Sequence, residues 1–203
     1  MIMIIPFNKN SSAKIIADSI KILKGGGIIA YPTESFYALG VMVTDKKALE
    51  NLFVLKKRPI EKPLPMIVGD MAALASVVKT VPDRAADLMD RYWPGPLTIV
   101  FEAAGNMSAL LTAGSGKVAV RIPGQSAALD LARAAGFPIT ATSANVSAEP
   151  PADTPDMVLK YFGDKIDLII DAGRTPGGKP STIVDVTADP VKVLREGRLI
   201  LQF

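Results

Sequence analysis

The chain contains neither cysteine nor histidine. The first absence excludes disulfides, thiolate nucleophiles and thiolate metal sites. The second removes the side chain used most often as a general base and as a zinc ligand. Any catalysis here must draw on carboxylates, hydroxyls, lysine, arginine, backbone amides or a borrowed metal ion. That repertoire suits positioning and charge stabilisation better than proton-shuttling hydrolysis. Long apolar runs are missing too: no stretch approaches the roughly 18 residues that suggest a membrane span. The start, "MIMIIPFNKN", lacks the basic flank and apolar length of a signal peptide. A soluble cytoplasmic protein with no membrane partner is expected. Strong charge is also lacking, since a net +3 is too little for a protein that coats nucleic acid. It leaves room for a local basic pocket.

At 49% hydrophobic over 203 residues, the sequence can bury one substantial core. No repeat, low-complexity tract or linker divides it, so residues 1–203 are read as a single domain. "NSSAKIIADSIKILKGGG" has near-helical apolar spacing, with Ser11 or Ser12 as cap and the glycines as stop. "TDKKALENLFVLKK" is the clearest helix, and Pro59 predicts its end at about Lys57. Further helices are read at "MAALASVV", "PDRAADLMDRYW", "SAALDLARAAG" and "TPDMVLKYFG". Strands are read at "IIAY", "PMIV", "PLTIVFE", "KVAVRIP", "PITAT", "DLIID", "STIVDV" and "VKVLRE". The interspersed order predicts an α/β fold with flanking helices. Several strands follow one another near the C-terminus, which favours a twisted, mixed sheet over a purely parallel one.

Two glycine motifs are decoys. "GGGIIA" fits a dinucleotide fingerprint on paper but closes a helix and opens a strand, the reverse of what that motif needs. "GSGKV" and "GGKPS" do not complete a P-loop.

Six stretches carry candidate chemistry. "YPTES" ends a buried strand with Thr33 and a carboxylate, where α/β proteins bind ligands at the carboxyl edge of the sheet. It also reads as a turn in which Thr33 caps a short helix. "LKKRPIEKPL" gathers Lys56, Lys57, Arg58 and Lys62, either as phosphate ligands or as solvated charges after a helix. "ITATSANVS" runs a strand into Thr142, Ser143 and Asn145, an anion cradle or an ordinary cap. Arg121 stands in an apolar strand, where it must meet an internal carboxylate or an anionic ligand. Ser181 and Arg195 mark two more strand ends.

Taken in order, "GGGIIAYPTESFYALG", "LKKRPIEKPL", "YWPGPLTIVF", "VAVRIP", "ATSANVS", "PSTIVDV" and "LREGRL" resemble the motifs of the YrdC-like family, the threonylcarbamoyl-adenylate synthases of tRNA modification. The resemblance runs from about residue 12 to 198 and matches the short, single-domain form. It implies an α/β fold with a concave, basic cavity. The implied reaction joins L-threonine, bicarbonate and ATP into threonylcarbamoyl-adenylate and pyrophosphate, with Mg²⁺ held through the triphosphate. Other proteins of a threonylcarbamoyl-transfer machinery would then modify position 37 of tRNA. Carried over by position, Thr33, Arg121 and Ser181 would bind threonine. Lys56, Arg58 and Lys62 would hold the triphosphate, with Lys56 and Arg58 serving catalysis. Thr142, Ser143, Asn145 and Arg195 would complete the ATP site. Ser35, Ala38, Ile67 and Ala148 depart from the family's usual threonine, glycine, histidine and glycine. A methyl at 38 or 148 is costly if the backbone needs positive φ, and Ile67 is expected near the threonine site. The alternatives are a paralogue of the same fold that binds nucleotide without this activity, and a double-stranded-RNA- or tRNA-binding protein.

Overall fold

The computed structural model describes residues 2–8, 11–105 and 107–201. In chain order the strands are β1 (Met3–Pro6), β2 (Ile29–Pro32), β3 (Tyr37–Gly40), β4 (Met66–Ile67), β5 (Leu97–Glu102), β6 (Lys117–Arg121), β7 (Ile139–Thr140), β8 (Thr142–Ser143), β9 (Leu168–Asp171), β10 (Thr182–Asp185) and β11 (Lys192–Arg195). The helices are α1 (Ser12–Lys24), α2 (Lys46–Lys56), α3 (Met71–Ala75), α4 (Asp83–Tyr92), α5 (Ala109–Thr112), α6 (Ala127–Ala135) and α7 (Pro155–Phe162). The mixed pairing expected from the sequence is present, distributed over two sheets. One has the order β1-β9-β2-β3-β8 and the other β11-β10-β5-β6-β4-β7. They meet where the Thr140 N–H donates to the Val41 carbonyl at 3.0 Å and Met42 bridges Ile139.

Local chemistry sets the helix limits. The Asp45 carboxylate caps α2 by accepting from the Ala48 N–H at 2.9 Å, and Lys57 ends it in the left-handed region. Thr154 caps α7, and Pro155 fills its first position, where a missing N–H costs nothing. Ser11 occupies the cap position of α1 without capping; its hydroxyl donates instead to the Pro6 carbonyl at 2.7 Å.

The period-2 alternation of strands decides what faces what. In the five-stranded sheet, Ile29, Tyr31, Leu168 and Ile170 pack into a smaller core with Ile15 and Leu23 of α1 and Leu131 and Ala132 of α6. Ala30 and Ile169 face the larger core, which takes in α2, α4 and α7. In the six-stranded sheet, Leu97, Ile99 and Phe101 of β5 and Val118 and Val120 of β6 enter that same larger core. Their alternates, Thr98, Val100, Ala119 and Arg121, face the other way and line a cavity.

"YPTESFYALG" is a β-hairpin. β2 and β3 pair antiparallel from Ile29↔Gly40 to Pro32↔Tyr37, and residues 33–36 make the turn. The helix that Thr33 might have capped does not form. The Thr33 hydroxyl donates to the Phe36 carbonyl at 2.7 Å and accepts from the Ser35 and Phe36 N–H groups. A cap and a hairpin turn of this kind use the same hydroxyl-to-amide bonds, and the β3 pairing selects the turn.

Candidate functional site

The cavity, about 320 Å³, lies between one face of the six-stranded sheet and the β2–β3 hairpin with β8. Seven sequence-predicted residues line it: Thr33, Arg58, Arg121, Thr142, Ser143, Ser181 and Arg195. Three of these are arginines, and no aspartate or glutamate is among the lining residues. The remaining walls are mostly apolar, with Phe36, Val100, Ile183 and Leu194, and add the hydroxyls of Ser35 and Thr98. An apolar pocket with a few convergent cations suits a small anionic ligand.

Arg121 meets the internal carboxylate that was one of its two sequence alternatives. It faces the cavity, and its Nη1 pairs with the Glu34 carboxylate at 3.1 Å. Arg195 donates from Nε and Nη2 to the Ser181 carbonyl, at 3.1 and 2.8 Å, and from Nη2 to the Ser181 hydroxyl at 3.1 Å. That hydroxyl also bonds the Thr98 hydroxyl at 2.9 Å. Arg58 is held by its own loop, donating to the Lys62 and Pro63 carbonyls at 3.2 and 2.8 Å. Burial pulls the pKa of both Arg58 and Arg195 down, and Arg195 also feels the nearby charge of Arg121.

Lys56, Lys62 and Asn145 are placed differently from the reading that has them touch ATP. None of them lines the cavity. Lys56 is 1% exposed. Its ammonium donates to the Ser143 carbonyl, to the Asn145 carbonyl at 2.7 Å and to the Asn145 side-chain oxygen at 3.3 Å. Burial, and then the charge of Arg58, push it down to about 7. Asn145 also accepts from the Ser143 hydroxyl at 2.6 Å and donates to the Glu149 carbonyl at 2.6 Å, so its side chain shapes the loop. Lys62 is exposed, and its carbonyl rather than its ammonium takes part, by receiving Arg58.

The departures sort by backbone and burial. Ala38 sits in β3 with an ordinary strand φ, so its methyl carries no left-handed strain. Ala148 has φ 77°, the left-handed region where a glycine is cheaper. Ile67 is fully buried in the smaller core and is not among the cavity-lining residues, contrary to its expected place beside the amino acid.

The expected carboxyl edge needs correction as well. Arg121 and Arg195 end their strands, whereas Ser181 precedes β10 and Thr98 lies near the start of β5. β5 and β10 run parallel to each other and antiparallel to β6 and β11, so both kinds of strand end meet at one side. A mixed sheet has no single carboxyl edge. Thr98, which lines the cavity, and Glu34, which pairs with the cavity-lining Arg121, were missed in the sequence. Thr98 left one signal, a hydroxyl residue in the apolar run "PLTIVF".

Among the described residues no group of three or more His, Cys, Asp or Glu side chains could hold a metal ion. No helix there is long and apolar enough to cross a membrane.

A family model, Sua5/YciO/YrdC, described as "Telomere recombination", matches residues 21–197. The chain is 37% identical over 180 residues to the threonylcarbamoyl-AMP synthase of Pyrococcus abyssi, covering 89% of this chain and 53% of that protein. Among solved structures it resembles P. abyssi Sua5 complexed with L-threonine, at TM-score 0.90 and 34% identity over 97% of this chain and 57% of that one. It also resembles E. coli YciO, at TM-score 0.85 and 28% identity over 98% and 96% of the two chains. The chain spans about half the length, 53%, of curated synthases it matches in P. abyssi and Bacillus subtilis.

Proposed function

We propose, from the premise that this chain belongs to the Sua5/YciO/YrdC family, that it makes threonylcarbamoyl-adenylate from L-threonine, bicarbonate and ATP. The observation that carries the reading is the convergence of Arg58, Arg121 and Arg195 on one cavity without a lining carboxylate. The substrates present an amino-acid carboxylate and a triphosphate, and those are the anions such a cavity accepts.

In this reading Thr33, Arg121 and Ser181 hold threonine. Arg58 and Arg195 hold the triphosphate, with Thr142 and Ser143 lining the nucleotide side. Lys56 and Asn145 serve the same side by fixing the loop that bears Ser143, and Lys62 fixes Arg58 through its carbonyl. The threonine amine adds to bicarbonate with loss of water, giving a carbamate. A carbamate oxygen then attacks the α-phosphorus, the bond to the bridging oxygen breaks, and pyrophosphate leaves. The reaction needs alignment and neutralisation of charge, which arginines provide without histidine. Magnesium, which would offset phosphate charge, would come in on the triphosphate, since the described residues supply no cluster of its own. Delivery of the product to tRNA through a transfer machinery, and a cytoplasmic location, belong to the same proposal.

The test is direct detection of product. Purified protein with ATP, Mg²⁺, threonine and isotopically labelled bicarbonate should yield a labelled threonylcarbamoyl-adenylate peak by mass spectrometry. ATP binding with no such peak would refute the synthase in favour of a nucleotide-binding paralogue.

A further inference from the structure

Arg121 is 11% exposed at its side chain and Glu34 16%, so the pair is largely withdrawn from water. Both Glu34 oxygens contact one nitrogen, Arg121 Nη1, at 3.1 and 3.3 Å. Nε and Nη2 make no bond among the described residues, and no side-chain polar atom there is both buried and unpartnered. The open edge of the guanidinium is thus available to the cavity as a two-toothed fork. Glu34 is itself anchored. One of its oxygens accepts from the Gly124 N–H at 2.6 Å, and a Cβ at residue 124 would sit 3.0 Å from that oxygen. Its carbonyl accepts from Arg198 Nη1 at 3.0 Å across 164 positions of sequence. The Arg198 N–H in turn donates to the Pro180 carbonyl at 2.8 Å, beside Ser181. The three residues assigned to the amino acid, Thr33, Arg121 and Ser181, are thereby tied together through one carboxylate and one C-terminal arginine.

We propose that Glu34 is a positioning residue that aims the open edge of Arg121 at the substrate carboxylate, with Arg198 holding the Glu34 peptide in place. The assignment rests on the synthase reading. It also opposes the other role a carboxylate beside that arginine can have, namely competition with the substrate for it. The two roles give opposite signs when the carboxylate is removed.

The experiment is calorimetric titration of L-threonine and, separately, of ATP into wild type, Glu34→Ala, Glu34→Gln and Arg198→Met. Glu34→Ala is expected to weaken threonine about tenfold or more while leaving ATP affinity within about twofold. Glu34→Gln should restore part of the loss, because its amide oxygen still accepts a bond from Arg121 or Gly124. Arg198→Met should weaken threonine by a smaller factor, about threefold. If Glu34→Ala is unfolded, a weaker threonine affinity in Glu34→Gln with unchanged ATP affinity supports the assignment equally. Unchanged threonine affinity in the folded Glu34 variants would overturn it, as would tighter binding, which would mark competition. Wild type that binds ATP but no threonine would remove the synthase reading itself and this assignment with it. A threonine-binding wild type with indifferent variants would remove the assignment alone.

Discussion

The Nζ of Lys56 lies 2.7 Å from the carbonyl oxygen of Asn145, so a buried cation at the last turn of α2 holds a loop 89 positions away. That loop carries Ser143, whose carbonyl the same ammonium binds. Lys56→Met should leave these carbonyls short of a donor, costing about 1–3 kcal/mol in urea denaturation. ATP affinity should fall with it, because Ser143 loses its fixed position. Unchanged stability together with unchanged ATP binding would mean that the loop holds its shape without the lysine.

Lys56 also confers a pH dependence of known sign. Its ammonium is pushed down from 10.5 to about 7, chiefly by burial. Between those values the unfolded chain keeps a proton that the folded chain has released, so this group makes stability rise with pH. The contribution is complete above the ordinary lysine value and lost as pH falls to about 7. Denaturation midpoints of wild type and Lys56→Met, compared across that window, should draw apart as pH rises. A constant difference would contradict the shift.

Lys57 at φ 49° and Ala148 at φ 77° are two of the three non-glycine residues with positive φ among the described residues. Glycine at either position removes a cost of about 1–2 kcal/mol. Part of that gain is offset by the looser unfolded chain. Lys57→Gly and Ala148→Gly should each stabilise by about 0.5–1 kcal/mol in thermal unfolding. A lowered midpoint at both would be inconsistent with these dihedrals.

Gly197 has a different reason to be glycine. A Cβ there would come within 2.3 Å of the Pro180 carbonyl oxygen and 2.4 Å of the Ser181 carbonyl carbon. The C-terminal segment lies flush against the strand end that bears Ser181. Gly197→Ala should therefore cost about 1–3 kcal/mol. It should also weaken threonine binding, because both Ser181 and the Arg198 bond to Glu34 are displaced. A wild-type melting temperature and threonine affinity would show that the approach is not that close.

Much of this was legible in sequence because the information is local. α2 announces itself by its Asp45 cap and the Pro59 stop, and α7 by Thr154-Pro155. Strands such as "LTIVFE" and "KVAVR" are apolar enough to be read directly. β1 and β8 were missed because each depends on a distant partner, β1 on β9 and β8 on β3, and β3 because the turn at 33–36 that folds it back on β2 also reads as a helix cap. α5, a four-residue helix, is too short to show a period. At the site, the arginines and hydroxyls were recognisable by type, and seven of ten line the cavity. Of the other three, Lys62 is exposed and takes part through its carbonyl, and Lys56 and Asn145 do not line the cavity for a separate reason. A cation or amide in a loop motif suggests a ligand, and only the fold shows that Lys56 and Asn145 are already bonded to each other. Glu34 went unassigned because its partners, Arg121 and Gly124, lie 87 and 90 positions away.

Pyrophosphate release decides whether the arginine-lined cavity is a synthase site. Wild type and Arg121→Met would be assayed with ATP and Mg²⁺, omitting threonine or bicarbonate in turn. Wild type should release pyrophosphate only when both are present, and Arg121→Met should need about tenfold more threonine or worse. Release indifferent to threonine, or the same threonine requirement without Arg121, would contradict the assignment.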